Sequence, residues 1–161
     1  MFNETELKKI DELKKRYPDN KSVLLPALWI MQDKYGYISE DAIKYIGEIL
    51  NIPCNYILGV VTFYTMFNKK PMGKYQLQVC TNISCMLRGG YELFEYISSK
   101  LNIINKEISR DGMFSIEEVE CLGSCATAPV MQVNNKEYFE NLDKDKIDNL
   151  LEHFKSHVKE N

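Results

Sequence analysis

The chain has 161 residues, 45% of them apolar and 27% charged, enough for one ordinary core or for a helical piece beside a small α/β domain. A net charge of -3 gives no electrostatic reason to expect nucleic acid as a partner. The opening "MFNETELKKIDELKKRYPDN" lacks the apolar core of a signal peptide, and the best apolar run, "YILGVVTFYTMF", is too short to span a bilayer, so a soluble protein without membrane insertion is expected.

The first 70 or so residues read as helices. In "NETELKKIDELKKRY", Leu7, Ile10, Leu13 and Tyr17 recur at three- and four-residue steps and form one apolar stripe. Asn3 followed by Glu6 has the form of a capping box. After Pro18 the pattern restarts near Ser22, with Pro26 confined to the first turn and Gly36 placed to stop the helix. Ser39 caps a third helix, with Glu40 and Asp41 in its first turn and Ala42, Ile43, Ile46 and Leu50 on its buried side. "IPCNYILGVVTFYTMF" reads as one or two short helices, with Pro53 at the start and Gly59 as a bend. Its aromatics Phe63, Tyr64 and Phe67 are expected in the core or at a subunit contact. Cys54 is expected to be a small buried hydrophobe.

The pattern changes across residues 68–74, where Lys69 and Lys70 read as a solvated linker. "YQLQVC" alternates at period two, with Leu77 and Val79 on one face, and ends on Cys80. "RGGYELFEYISSKLNI" returns to helical spacing, and "MFSIEEVEC" is a second strand ending on Cys121. "PVMQVNN" and "KEYFENL" form a hairpin around Asn134 and Asn135, and "DKDKIDNLLEHFKSHVKE" closes as a helix. The expected organisation is α+β: an N-terminal helical bundle over 1–72, then an α/β domain over 73–161.

Five cysteines without a secretory signal argue against a disulfide framework. Four of them form C-x4-C (Cys80, Cys85) and, 35 residues on, C-x3-C (Cys121, Cys125). The interval suits a strand–helix–strand unit. If the crossover has the usual hand, the strands run parallel and deliver both pairs to one sheet edge. Four thiolates converging from two loops make a metal site. Zinc and an iron–sulfur cluster both accept the spacing, whereas a thioredoxin-type dithiol wants C-x-x-C. Gly123, Gly89 and Gly90 tilt the balance toward a cluster, because they let backbone N–H groups approach a negative core; ordinary turn chemistry is the plainer account of them. His153 and His157, four apart on one helical face, could bind a metal but fit a solvated helix end better. Neither G-x-G-x-x-G after a strand nor G-x-x-x-x-G-K-[ST] occurs, so no dinucleotide site is visible.

The segments "VCTNISCMLRGG", "EEVECLGSCATAPVMQVN" and "GVVTFYTMF", with "VLLPALWIMQDKYGYIS" ahead of them, resemble the thioredoxin-like 2Fe-2S ferredoxin subunit of NADH:quinone oxidoreductase (its 24 kDa subunit). The resemblance runs in order over nearly the whole chain. It implies a thioredoxin-like domain holding a 2Fe-2S cluster on Cys80, Cys85, Cys121 and Cys125, behind a helical domain. It also implies a flavoprotein partner that carries FMN and binds NADH, and a larger iron–sulfur subunit in the same complex. The place implied is the cytoplasm, or the periphery of the inner membrane as part of the complex. The chain is then a one-electron carrier that turns over no substrate alone. Related subunits serve NAD-linked hydrogenases and formate dehydrogenases. A zinc-stabilised interaction module and a free-standing ferredoxin are the remaining alternatives.

Overall fold

The computed structural model describes residues 1–156, and the chain divides into two compact units, one from Met1 to Pro71 and one from Met72 onward. Four α-helices make the first: α1 (Glu4–Arg16), α2 (Leu24–Tyr35), α3 (Glu40–Leu50) and α4 (Cys54–Phe63). Local chemistry sets their ends. Asn3 Oδ1 accepts the Glu6 N–H while the Glu6 carboxylate accepts the Asn3 N–H, completing the capping box. Pro26 falls in the first turn of α2, and Gly36 ends that helix at φ 79°. The Ser39 hydroxyl caps α3 through the Ala42 N–H. Ile10, Leu24, Leu28, Ile46, Leu50 and Ile57 interlock as the core of this unit.

α4 is a single helix and passes through Gly59 without a break. Beyond it, buried Gln32 fastens the chain: its Nε2 donates to Met66 O at 2.7 Å and its Oε1 accepts the Asn68 N–H at 2.7 Å. The three aromatics part company here. Phe67 is buried against Trp29, with ring centroids 5.5 Å apart, whereas Phe63 is 77% exposed and meets Tyr64 edge-on. They share no helical face because the helix ends at Phe63.

The second unit is a four-stranded mixed sheet with helices. Its elements run β1 (Tyr75–Cys80), α5 (Ile83–Leu87), α6 (Gly90–Leu101), β2 (Phe114–Val119), β3 (Met131–Val133), β4 (Glu137–Phe139) and α7 (Lys144–Ser156), with strand order β2-β1-β3-β4. β1 and β2 are parallel, in register from Tyr75 opposite Phe114 to Cys80 opposite Val119, and β3 and β4 add antiparallel neighbours. Gly73 admits the chain to β1: a Cβ there would meet the Phe114 carbonyl carbon at 2.3 Å.

Leu77, Val79, Ile97, Ile116, Met131 and Ile147 close the core on one face of the sheet. The other face of β1 carries buried Gln76 and Gln78. Gln78 grips the hairpin turn with both ends of its amide, donating to Asn135 Oδ1 at 2.8 Å and accepting the Asn135 N–H at 2.9 Å. Asn134 and Asn135 hold φ 54° and 56°, the left-handed pair that a tight hairpin turn needs and that asparagine tolerates. The architecture is therefore α+β, helices followed by a helix-backed sheet.

Candidate metal centre

Both cysteine pairs lie at the edge where β1 and β2 end. Cys80 closes β1, and its N–H is held by Val130 O at 3.1 Å. Asn82 then caps α5, its Oδ1 accepting the Ile83 N–H at 2.8 Å. This five-residue helix carries Cys85 on its inner side, so Cys80 and Cys85 are both only 3% exposed. The strand and helix periods seen in the sequence bracket α5 without revealing it, because a helix this short has no full apolar repeat. Its one local signal is the Asn82 cap.

The turn into α6 explains the paired glycines. Gly89 adopts φ 89°, and its N–H bonds Met86 O at 3.1 Å. A Cβ on Gly90 would lie 2.9 Å from Cys80 O and from both the carbonyl carbon and oxygen of Cys85. Gly90 thus lets α6 close directly behind the first thiol pair, a steric role.

β2 ends at Val119, two residues before Cys121, which begins an exposed loop. Gly123, at φ 80°, turns its N–H onto Cys121 Sγ at 3.4 Å, so here the expected donor is realised. Cys125 Sγ lies 3.4 Å from Cys121 Sγ and opens a short 3-10 turn, Cys125–Thr127, before the cis Ala128–Pro129 peptide.

Cys85, Cys121 and Cys125 are shifted in different directions. Burial, then the hydrogen bond with Cys80, pushes Cys85 up to about 11, against the pull of the Val130 N–H. The Gly123 N–H, then Cys125, draws Cys121 below the ordinary thiol value, while the Glu120 carboxylate opposes that shift. Cys125 is raised by Cys121 first, partly offset by Ser84. Cys80 and Cys85 are buried in one small cluster, and the Cys121 and Cys125 sulfurs lie 3.4 Å apart. A cation can take the place of the protons on such a set, and soft thiolates select zinc or iron–sulfur centres. The residues thus fit a thiolate-held metal group. Among the described residues, no three His, Cys, Asp or Glu side chains converge closely enough to hold a single metal ion; the sulfurs stand two by two.

Cys54 corrects the expectation of a buried hydrophobe. It begins α4 just after Pro53 and is exposed: it shares a helical face with buried Ile57 and Val61, three and seven positions further on, but its place in the first turn leaves it outside the core. His153 is exposed in the last turn of α7, its ring near Phe154, and His157 lies outside the described residues. No described helix is long and apolar enough to cross a membrane.

The profile of the thioredoxin-like [2Fe-2S] ferredoxin family matches residues 10–155. The chain belongs to this family. Among curated relatives it is 40% identical over 141 residues to the second E-type subunit of the NADH-quinone oxidoreductase of Rhizobium meliloti (strain 1021), covering 88% of this chain and 83% of that one. It is 38% identical over 156 residues to the E-type subunit of the NADH-quinone oxidoreductase of Rickettsia typhi, covering 95% and 91%. Among solved structures, an NAD+-reducing [NiFe]-hydrogenase superposes with a TM-score of 0.71 at 19% identity, a likeness of fold. That match takes in 82% of this chain and spans 23% of the hydrogenase chain.

Proposed function

We propose that this ferredoxin is the one-electron carrier subunit of an NADH-oxidising complex of the NADH:quinone oxidoreductase type, with a 2Fe-2S cluster held by Cys80, Cys85, Cys121 and Cys125. The observation that supports the ligand assignment is the thiol quartet itself, gathered at one sheet edge: Cys80 and Cys85 are buried together, and the Cys121 and Cys125 sulfurs lie 3.4 Å apart. Pairs suit a binuclear centre in which each iron takes two cysteines. Kinship with NADH-quinone oxidoreductase subunits over nearly the whole chain supports the place in a multi-subunit complex. The partners we infer are a flavoprotein that binds FMN and NADH, and a larger iron–sulfur subunit.

The bound cluster supplies reversible one-electron storage. The chain does the rest. Burial of Cys80 and Cys85 keeps water from one side of the centre, and Gly90 lets α6 seal that side. The exposed pair, Cys121 and Cys125, leaves the other side open to a docking redox partner. The Gly123 N–H offers a dipole to the Cys121 sulfur, offsetting thiolate charge.

Anaerobically prepared protein should be brown-red, carry about two irons per chain and become paramagnetic on reduction with dithionite. Stoichiometric zinc, or no paramagnetic signal, would overturn the assignment. Cys121→Ser should bleach the visible spectrum and Cys54→Ser should leave it intact. In the assembled complex, rapid-freeze spectroscopy should show the cluster reduced by NADH.

A further inference from the structure

The loop from Cys121 to Pro129 is tied at both ends by carboxylates that ligate nothing. Glu120, just before Cys121, accepts the Asn82 Nδ2–H at 2.6 Å. The same Asn82 amide caps α5 with its oxygen at 2.8 Å, so one side chain, both ends engaged, binds the first thiol loop to the second. Across the loop, the Glu140 carboxylate accepts the Ser124 hydroxyl, which lies 2.8 Å from Thr127 Oγ1, and Thr127 is itself a hydrogen-bond partner of Glu140. Backbone bonds reinforce this end: the Asn141 N–H donates to Thr127 O at 2.7 Å and the Leu142 N–H to Pro129 O at 3.1 Å.

We propose that Glu120 and Glu140 are positioning residues for the redox centre, bracing the loop that presents Cys121 and Cys125 and, as fixed negative charges beside it, disfavouring its reduction. The proposal rests on the assignment of a cluster to these thiols. Adding an electron near an existing anion costs energy, so each carboxylate holds the potential down. Both side chains face solvent, where water and salt weaken the effect without abolishing it. The bracing is separate from the charge: a glutamine keeps an acceptor oxygen for Asn82 or Ser124 and loses only the charge.

The test uses the full-length, cluster-loaded chain and its variants Glu120→Gln, Glu140→Gln and the double variant, titrated for midpoint potential at low salt and at 1 M salt. Each glutamine variant should favour reduction by about threefold to tenfold at low salt, a shift of ~28 to ~59 mV at 59 mV per tenfold for one electron. The shifts should add in the double variant and shrink at high salt. Unchanged potentials at low salt, or shifts indifferent to salt, overturn the charge effect. In the cluster-free chain, Glu120→Ala and Glu140→Ala should speed alkylation of Cys121 and Cys125 severalfold beyond Glu120→Gln and Glu140→Gln, which lose the same charge but keep the acceptor. Rates no faster than those of the glutamine variants overturn the brace. A wild-type chain that takes up no cluster instead overturns the proposed function, and the alkylation rates then judge the brace alone.

Discussion

A missing methyl group decides how closely α6 approaches the first thiol pair. At Gly90 a Cβ would sit 2.9 Å from three backbone atoms of Cys80 and Cys85, none of which can swing aside as a side-chain tip could. Gly90→Ala should therefore cost about 1 to 3 kcal/mol and lower cluster occupancy, read as the urea midpoint and the visible absorbance per chain. Gly59→Ala is the contrasting case. Gly59 lies inside α4 with open space around it, so alanine should stabilise the first unit by roughly 0.5 to 1 kcal/mol. Equal effects at the two positions would mean that close approach has no part in holding the thiol loop. Cys54 offers the same lesson in exposure: it lies on the face of α4 that buries Ile57 and Val61, yet its place at the start of the helix leaves it outside.

Among elements, the contact between α6 and α7 has a pH signature. Asp148, on α7, accepts Lys100 Nζ at 2.7 Å and the Tyr96 hydroxyl at 2.8 and 2.9 Å, both donors from α6. Lys100 first, then Tyr96, lowers the Asp148 carboxyl below its ordinary value, and Asp148 in turn raises Lys100. A depressed carboxyl contributes stability above its unfolded value, near 3.8, and loses it as pH falls through the folded one. A raised ammonium contributes below its unfolded value, near 10.5, and loses it as pH climbs through the folded one. Asp148→Asn should therefore lower the urea midpoint at pH 7, and the gap from wild type should close below about pH 4. A gap that persisted in acid would point to packing, not charge. The pair is surface-exposed, so its effect is modest and should fade with salt.

For the whole molecule, the two cores are built from separate residues, and the join between them is polar and exposed at Lys69 and Lys70. Limited trypsin digestion should first cut the Lys69–Lys70 bond, since Pro71 protects the next one, and leave two resistant fragments. First cleavage inside α2 or α6 would contradict this division of the chain. Much of this organisation was legible beforehand. Helix starts and stops at Asn3, Ser39 and Gly36 and the asparagine hairpin follow from signals within a few residues. The parallel pairing of the strands before the cysteines follows from the 35 residues between the two cysteine pairs. The short α5, the exposed Cys54 and the dispersal of Phe63, Tyr64 and Phe67 did not, because local periodicity says little of a five-residue helix or of which side a helix end turns.

By itself, the sequence determined that four thiols arrive as two pairs about one strand–helix–strand unit, since spacing and period are properties of neighbouring residues. Only the tertiary structure decided that one pair is buried and the other exposed, that Gly90 rather than a larger residue backs the first, and that Glu120 and Glu140 brace the second. Those facts rest on contacts between segments from 16 to 38 positions apart in the brace itself, and the chain has to close on itself before such contacts exist.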